Sequence, residues 1–315
     1  MKKLAFTLIE LLVVIAVIGI LSGLIVVSMS GVTNKATIAK SQIFSNSLRN
    51  SLMTNLVSEW KLDDVSGTSA IDAWNGVNSG TLFGVSDTTA GYGDTHTSGW
   101  MSSGNCVSGT CLKLDGTNDY VSINNSSSLN IGTGDFTITI WVNLLDQPTA
   151  DNARFFFKVI SSPALEGYNF AIYGNTGYVE GYIAENGTSR FVRANKTALE
   201  NTGWHYLVFS IDRDSATGIK IYVDGSQETY STQDNPTTIS GDITTTAPLV
   251  LGRNELSPTN TYVNGKIDEL RIYNAAIPTS QIREQYYVGL NNMLNNGSIN
   301  KEEYQKRIYS FAINY

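Results

Sequence analysis

Between Lys3 and Lys35 the chain carries one charged residue, Glu10, and the stretch from Phe6 to Met29 is dominated by apolar and small side chains. That stretch exceeds the ~20 residues a helix needs to span a bilayer, so the first element is expected to be a single-pass transmembrane helix over 6–29. A cleaved secretory peptide would instead have an apolar core of about 7 to 15 residues followed by a small-x-small site. A charge at the centre of a membrane helix costs roughly 2.5 to 3.5 kcal/mol, and less near an end. Glu10 therefore requires a partner or a function. Lys2 and Lys3 place the N-terminus in the cytoplasm, with Lys35 and Lys40 acting against that bias, and the bulk of the chain then faces outward.

Lys2-Lys3-Leu4-Ala5 followed by Phe6-Thr7-Leu8-Ile9-Glu10-Leu11-Leu12-Val13-Val14-Ile15 resembles the leader and helix start of type IV pilins and pseudopilins. The resemblance implies a leader peptide over 1–5, cleavage by prepilin peptidase between Ala5 and Phe6, and N-methylation of Phe6. It also implies that Glu10 meets a terminal amine during filament assembly, a pairing that suits a buried carboxylate. Ala5 departs from the glycine usual before the cut, which keeps a small residue there and predicts slower processing. The competing reading is an uncleaved signal anchor whose Glu10 snorkels to the interface.

No glycine occurs between Gly31 and Gly67 and no proline before Pro148, while Phe44, Leu48, Leu52 and Leu56 recur every four residues. One helix over 6–57 would be about 78 Å long at 1.5 Å per residue, with an amphipathic upper half that packs on the head, on neighbouring pilin helices, or on both. Many major pilins carry a proline in the apolar half; its absence here leans towards a minor pilin or pseudopilin.

Five basic residues and only one acid precede Ser58, so a chain of net charge −7 has a still more acidic remainder. An acidic head without a basic stripe excludes nucleic acid as its partner. From Ser58 onward, short β-favouring runs alternate with Gly, Asn, Asp, Ser and Thr clusters. Strands are expected at 57–62, 112–114, 120–123, 136–143, 155–160, 168–173, 178–184, 204–212, 219–223, 249–252 and 266–273. This density predicts a mostly β head of two packed antiparallel sheets, a jelly-roll sandwich.

Trp60-Lys61-Leu62-Asp63-Asp64, Leu114-Asp115-Gly116 with Asp119-Tyr120-Val121, Ile221-Tyr222-Val223-Asp224-Gly225 and Gly265-Lys266-Ile267-Asp268-Glu269-Leu270-Arg271-Ile272-Tyr273-Asn274 resemble the concanavalin A-like, laminin G-like jelly roll. The resemblance covers 58–278 as a domain. Fold alone does not give function. Related glycan-cleaving enzymes need a cluster of acids on one strand, with two carboxyl groups about 5 to 5.5 Å apart in retaining forms. No such cluster occurs, and Glu180 and Glu185 fall on opposite faces of their strand. A non-enzymatic, lectin-like head is expected.

For a polysaccharide or glycoprotein ligand the candidates are aromatic rings. Trp74, Tyr92 and Trp100 lie in Gly-rich segments with no obvious strand to pack on, and Tyr173, Tyr178 and Tyr182 flank an expected hairpin; the alternative is that such rings cap the sandwich edge. Related folds hold a structural Ca²⁺ through an early loop and an aspartate of the last strand, and Asp72, the Asn75 carbonyl and Asp268 occupy the matching positions. An oxygen-only shell suits Ca²⁺, but Asp72 could equally form an Asx turn and Asp268 could bond loop amides. His96 and His205 are the only histidines, which removes a His-based zinc cluster. Cys106 and Cys111, without companions for a metal or redox site, are expected to form a local disulfide outside the membrane.

Thr279-Ser280-Gln281-Ile282 opens a helix, Asn296-Gly297 breaks it, and Asn300-Lys301-Glu302-Glu303-Tyr304 opens another. This hairpin over 279–315 resembles short C-terminal SHOCT-like modules. The functional expectation is a pilin-like subunit, a single-pass precursor in the cytoplasmic membrane and then part of a pilus at the cell surface. Its head serves adhesion or glycan recognition, or is purely structural.

Overall fold

The structure is a computed structural model that describes residues 15, 53–85, 88–89, 91–146, 153–173, 177–195, 199–256 and 261–313. The chain divides into two units, Met1–Ser51 and Leu52–Tyr315. Of the first, Ile15 alone is described, and it is helical. Among the described residues no helix is long and apolar enough to cross a membrane.

The second unit leaves a helical turn at 53–55 and enters β1 (Leu56–Trp60). There follow β2 (Ser69–Ala70), β3 (Gly80–Phe83), β4 (Gly99–Met101), β5 (Cys111–Asp115) and β6 (Tyr120–Ile123). Five longer strands come next: β7 (Phe136–Leu144), β8 (Ala153–Ile160), β9 (Glu166–Tyr173), β10 (Tyr178–Glu185) and β11 (Thr188–Ala194). The last six are β12 (His205–Ile211), β13 (Ile219–Val223), β14 (Ser226–Gln227), β15 (Tyr230–Gln233), β16 (Leu249–Leu251) and β17 (Asn264–Tyr273). Two helices, α1 (Thr279–Asn296) and α2 (Lys301–Ile313), complete the unit.

An eight-stranded sheet runs β14-β13-β12-β7-β17-β5-β4, with β1 also paired to β17, and a nine-stranded sheet runs β15-β11-β10-β9-β8-β16-β6-β3-β2. The sandwich of antiparallel sheets is thus the architecture expected. β7 explains how it is built. Alternate side chains point to opposite faces, so Phe136, Ile138, Ile140 and Val142 enter the core between the sheets while Thr137, Thr139 and Trp141 point outward. Trp60, Leu112, Phe156, Phe170, Phe209 and Leu270 fill the same core and are fully buried.

The outward face of the eight-stranded sheet is also apolar, and the helical hairpin covers it. Ile282, Tyr286, Leu290 and Met293 recur at helical spacing along α1 and pack on Trp141, Tyr206 and Tyr273. The Tyr286 ring lies 5.6 Å from that of Trp141. Gly289 is what allows this approach: a Cβ there would stand 2.2 Å from the Trp141 ring. Gly297 closes α1 in the left-handed conformation (φ 85°), where glycine carries no steric penalty.

Cys106 and Cys111 are disulfide-bonded as expected, and the loop they close is a junction. Asn296 Nδ2 and Ser298 Oγ donate to the Cys106 carbonyl at 3.0 and 2.6 Å, and Trp204 Nε1 donates to that of Asn105 at 3.1 Å. Closing so short a loop stabilises by roughly 2 kcal/mol in the chain-entropy picture.

Candidate functional site

With one sheet face buried in the core and the outer face of the eight-stranded sheet under the hairpin, the outer face of the nine-stranded sheet is where function can be sought. Its side chains alternate with core residues along each strand. On β9, Tyr168, Phe170 and Ile172 belong to the core, so Asn169, Ala171 and Tyr173 point outward. On β10, Val179 and Ile183 are core, and Tyr178, Glu180 and Tyr182 point outward. A bulge between Arg154 and Phe156 turns both Phe155 and Phe156 inward and returns Arg154 and Phe157 to the outer face.

The strand registers assemble these residues into rows. One row reads Phe191, Tyr182, Asn169, Phe157, Val250, Ser122 and Thr81. The next reads Arg193, Glu180, Ala171 and Arg154, and beyond it Tyr178 pairs with Tyr173. Arg193 lies flat on Tyr173, its guanidinium carbon 3.7 Å from the ring centroid, and donates through Nη2 and Nε to Glu180 Oε2 at 2.5 and 3.1 Å. Arg154 sits 5.7 Å from the Phe157 centroid and 5.9 Å from that of Tyr182. Burial pushes the Tyr182 hydroxyl pKa up, Arg154 opposing and Glu180 adding to the shift.

The floor holds one unusual group. Asn169 is fully buried, and neither its Oδ1 nor its Nδ2 has a hydrogen-bond partner. A buried polar group left unmade costs about 1–3 kcal/mol, and in native structures such a group calls for a specific reason. Here an amide with free donor and acceptor capacity lies between Tyr182 and Phe157, flanked by ring-stacked guanidinium groups. Tyr173, Tyr178 and Tyr182 are half-buried on this face and can stack on a polyhydroxylated ligand, whereas Asn169 and Phe157 are fully buried. Glu180 is the single carboxylate among the described residues of these rows, and Arg193 holds it, whereas glycosidic cleavage takes a pair of carboxyl groups flanking the bond.

Of the aromatic candidates, Tyr173, Tyr178 and Tyr182 come together on this face. Tyr92 lies in the loop leading to β4 and stacks on His96 at 3.7 Å, and Trp74 is half-buried in the loop between β2 and β3. Trp100, expected in a turn, is instead a fully buried residue of β4 whose Nε1 donates to the Gly67 carbonyl at 2.8 Å; a three-residue strand is too short to leave a periodic signature. Sequence reasoning missed Arg154, Asn169 and Arg193. The signal was present as polar residues at alternate positions inside strand runs, and in β11 the mixed TSRFVRA sequence hid the strand itself.

Two of the calcium candidates, the Asp72 and Asp268 carboxylates, accept from backbone amides. Asp72 accepts from the backbone N–H of Glu59 and Trp74 through Oδ1 and of Asn78 through Oδ2, the Trp74 bond being that of an Asx turn. The Asn75 side chain accepts from Val77 N–H at 2.9 Å. Asp268 Oδ2 accepts from Val107 and Ser108 N–H at 2.8 and 3.2 Å, and burial, with Glu269 beside it, pushes its carboxyl well above the usual range. Among the described residues no group of three or more His, Cys, Asp or Glu side chains is placed to hold a metal ion. His205 donates or accepts between Asp224 Oδ2 at 2.8 Å and Thr202 Oγ1 at 2.7 Å. Ala5, Phe6, Glu10 and, Ile15 apart, the expected membrane helix lie outside the described residues.

Residues 115–283 match the family model described as the concanavalin A-like lectin/glucanases superfamily, and residues 1–26 match the prokaryotic N-terminal methylation motif. No curated protein matches the chain. Among solved structures, the binding domain of Paraclostridial mosquitocidal protein 1 is similar at 12% identity and TM-score 0.57, over 76% of this chain and 53% of that one. Domain 4 of AbnA, a GH43 extracellular arabinanase from Geobacillus stearothermophilus, in complex with arabinotriose, is similar at 19% identity and TM-score 0.50, over 73% of this chain and 97% of that one. The ligand-binding domain of botulinum neurotoxin serotype D, in complex with N-acetylneuraminic acid, is similar at 12% identity and TM-score 0.54, over 77% and 53%. The chain thus spans about half the length of the two toxin domains, and likeness at these identities speaks for the fold.

Proposed function

We propose, for a chain that belongs to the concanavalin A-like lectin/glucanases superfamily, that the outer face of its nine-stranded sheet binds a glycan without cutting it. The observation that carries this reading is Asn169, a fully buried amide with both polar atoms unpartnered, set among Tyr182, Phe157 and Arg154. Sugar hydroxyls can both donate to and accept from such an amide, and Tyr173, Tyr178 and Tyr182, the half-buried rings of this face, supply apolar surface for the sugar's C–H face. The sugars named with the arabinanase domain and the toxin domain support a saccharide as the ligand class.

The methylation motif at 1–26 makes the chain type IV pilin-like at its N-terminus. On our reading, prepilin peptidase cuts between Ala5 and Phe6, and Phe6 and Glu10 carry the subunit from the membrane into a filament. The acidic head is then displayed at the cell surface as a minor, adhesive subunit. The test is the full chain in detergent on a broad glycan array. Retention on a defined set of glycans with no sugar released is expected. No retention on any glycan would refute the reading in favour of a structural subunit, and released oligosaccharide would refute it in favour of an enzyme.

A further inference from the structure

We infer that Phe83, Tyr120 and Arg253 form a second sugar subsite on the same face, so that the ligand is an extended glycan chain laid across the strands rather than a single sugar; this rests on the glycan reading above. Tyr120 precedes Ser122 by two residues on β6 and therefore shares its face, and the register places Phe83 directly opposite Tyr120. The two rings stack at 4.9 Å and 10°. Arg253 lies over the Tyr120 ring at 4.8 Å, with Tyr262 tilted against it at 6.5 Å.

Phe83 is 43% exposed, which is unusual for a ring in this sandwich. The reason is topological: β2 pairs only with Gly80 and Thr81 and stops short of it. A cross-strand aromatic pair by itself contributes about 0.2–1 kcal/mol and has no need of a guanidinium. The pattern repeats the first site, where Arg193 lies on Tyr173 and is tied to Glu180; Arg253 lies on Tyr120 and is tied to Glu255 at 3.7 Å.

β6 and β9 are separated by β16 and β8, which at the usual strand spacing and a two-residue offset along the strand sets the two tyrosine platforms about 16 Å apart. One sugar ring cannot touch both. In the Tyr120 row, Gly252 and Ala171 keep the floor low on either side of Arg154, and Tyr173 stands one row further along β9. A chain that engages both platforms gains affinity because the second contact becomes intramolecular.

The test compares trisaccharides and hexasaccharides of arabinan, xylan, β-glucan, polygalacturonate and sialylated chains on the full chain in detergent. For whichever class binds, the hexasaccharide is expected to bind at least tenfold more tightly than the trisaccharide. Phe83→Ala should lower hexasaccharide affinity about tenfold and trisaccharide affinity less than twofold, and Phe83→Trp, which keeps a ring, should retain the gain. Tyr309→Ala, on the exposed side of α2, serves as the control for surface substitution. Equal affinity for the two lengths, or a Phe83→Ala protein that keeps the hexasaccharide gain, would overturn the second subsite while leaving glycan binding intact. Absence of binding to every class would overturn the glycan reading itself.

Discussion

Replacing Asn169 by leucine should make the protein more stable and less able to bind. The two side chains are close in volume, so the substitution leaves little cavity and removes two buried polar atoms that have no partner in the fold. Relief of that desolvation penalty is worth about 1–3 kcal/mol. At ~2–4 °C per kcal/mol for a domain of this size, a rise of roughly 2–12 °C in Tm is expected. Asn78 is the internal control. It is equally buried, but its Nδ2 donates to Ser58 Oγ and Ser128 Oγ at 2.6 and 2.9 Å and its Oδ1 accepts from Ser126 Oγ at 2.5 Å. Asn78→Leu should therefore cost about 1–3 kcal/mol, because it leaves the fully buried Ser58 hydroxyl unpaired. Urea unfolding of both variants gives the two free energies with opposite signs, and glycan titration of Asn169→Leu should show binding reduced by tenfold or more. If Asn169→Leu were destabilised like Asn78→Leu, the amide would be a satisfied structural group and the case for the site would fall.

Two further outcomes test other parts of the molecule. Lys158 is fully buried, with Nζ donating to Asn125 Oδ1 and the carbonyls of Thr245 and Ala247, and burial pulls its pKa down to about 8. Between that value and the ordinary 10.5 the folded state holds fewer protons than the unfolded chain, so stability rises with pH through this window. From neutral pH to about 9.5 the gain is ~2 kcal/mol. The Lys158→Met protein should lack it, and melting curves that stay parallel across the window would contradict the assignment. Gly289→Leu should drive α1 off Trp141, seen as lost amide protection in α1 and α2 with the β-sandwich intact; unchanged hydrogen exchange in the helices would show that the close approach is not required.

Several strands were legible because their apolar residues alternate or run continuously: the expected spans at 120–123 and 219–223 are those found, and β7, β9, β10 and β12 differ by one to a few end residues. β2, β3, β4, β11, β14 and β15 were not, because they are very short or carry a polar residue at most positions. That loss mattered for the site, since β11 brings Arg193 and β3 brings Phe83. The helix boundaries at Thr279 and Gly297 could be read directly, as the capping chemistry is local. Trp100 was misplaced because glycines around a tryptophan mark a turn just as well as a short strand pressed against a core.

The sequence by itself determined what depends on neighbours in the chain: the apolar N-terminal segment with its single acid, the antiparallel sandwich, the break at Gly297 and the nearby cysteine pair. It also supplied the three tyrosines on β9 and β10, because alternation along a strand is a local rule. Only the tertiary structure decided which sheet face the hairpin covers, since that cover depends on a glycine at 289 meeting a tryptophan at 141. Only the registers of strands distant in sequence could place Arg193 on Tyr173, line up Phe83 with Tyr120, and leave Asn169 buried without a partner. An unpaired amide is a property of everything around it, which no single stretch of sequence contains.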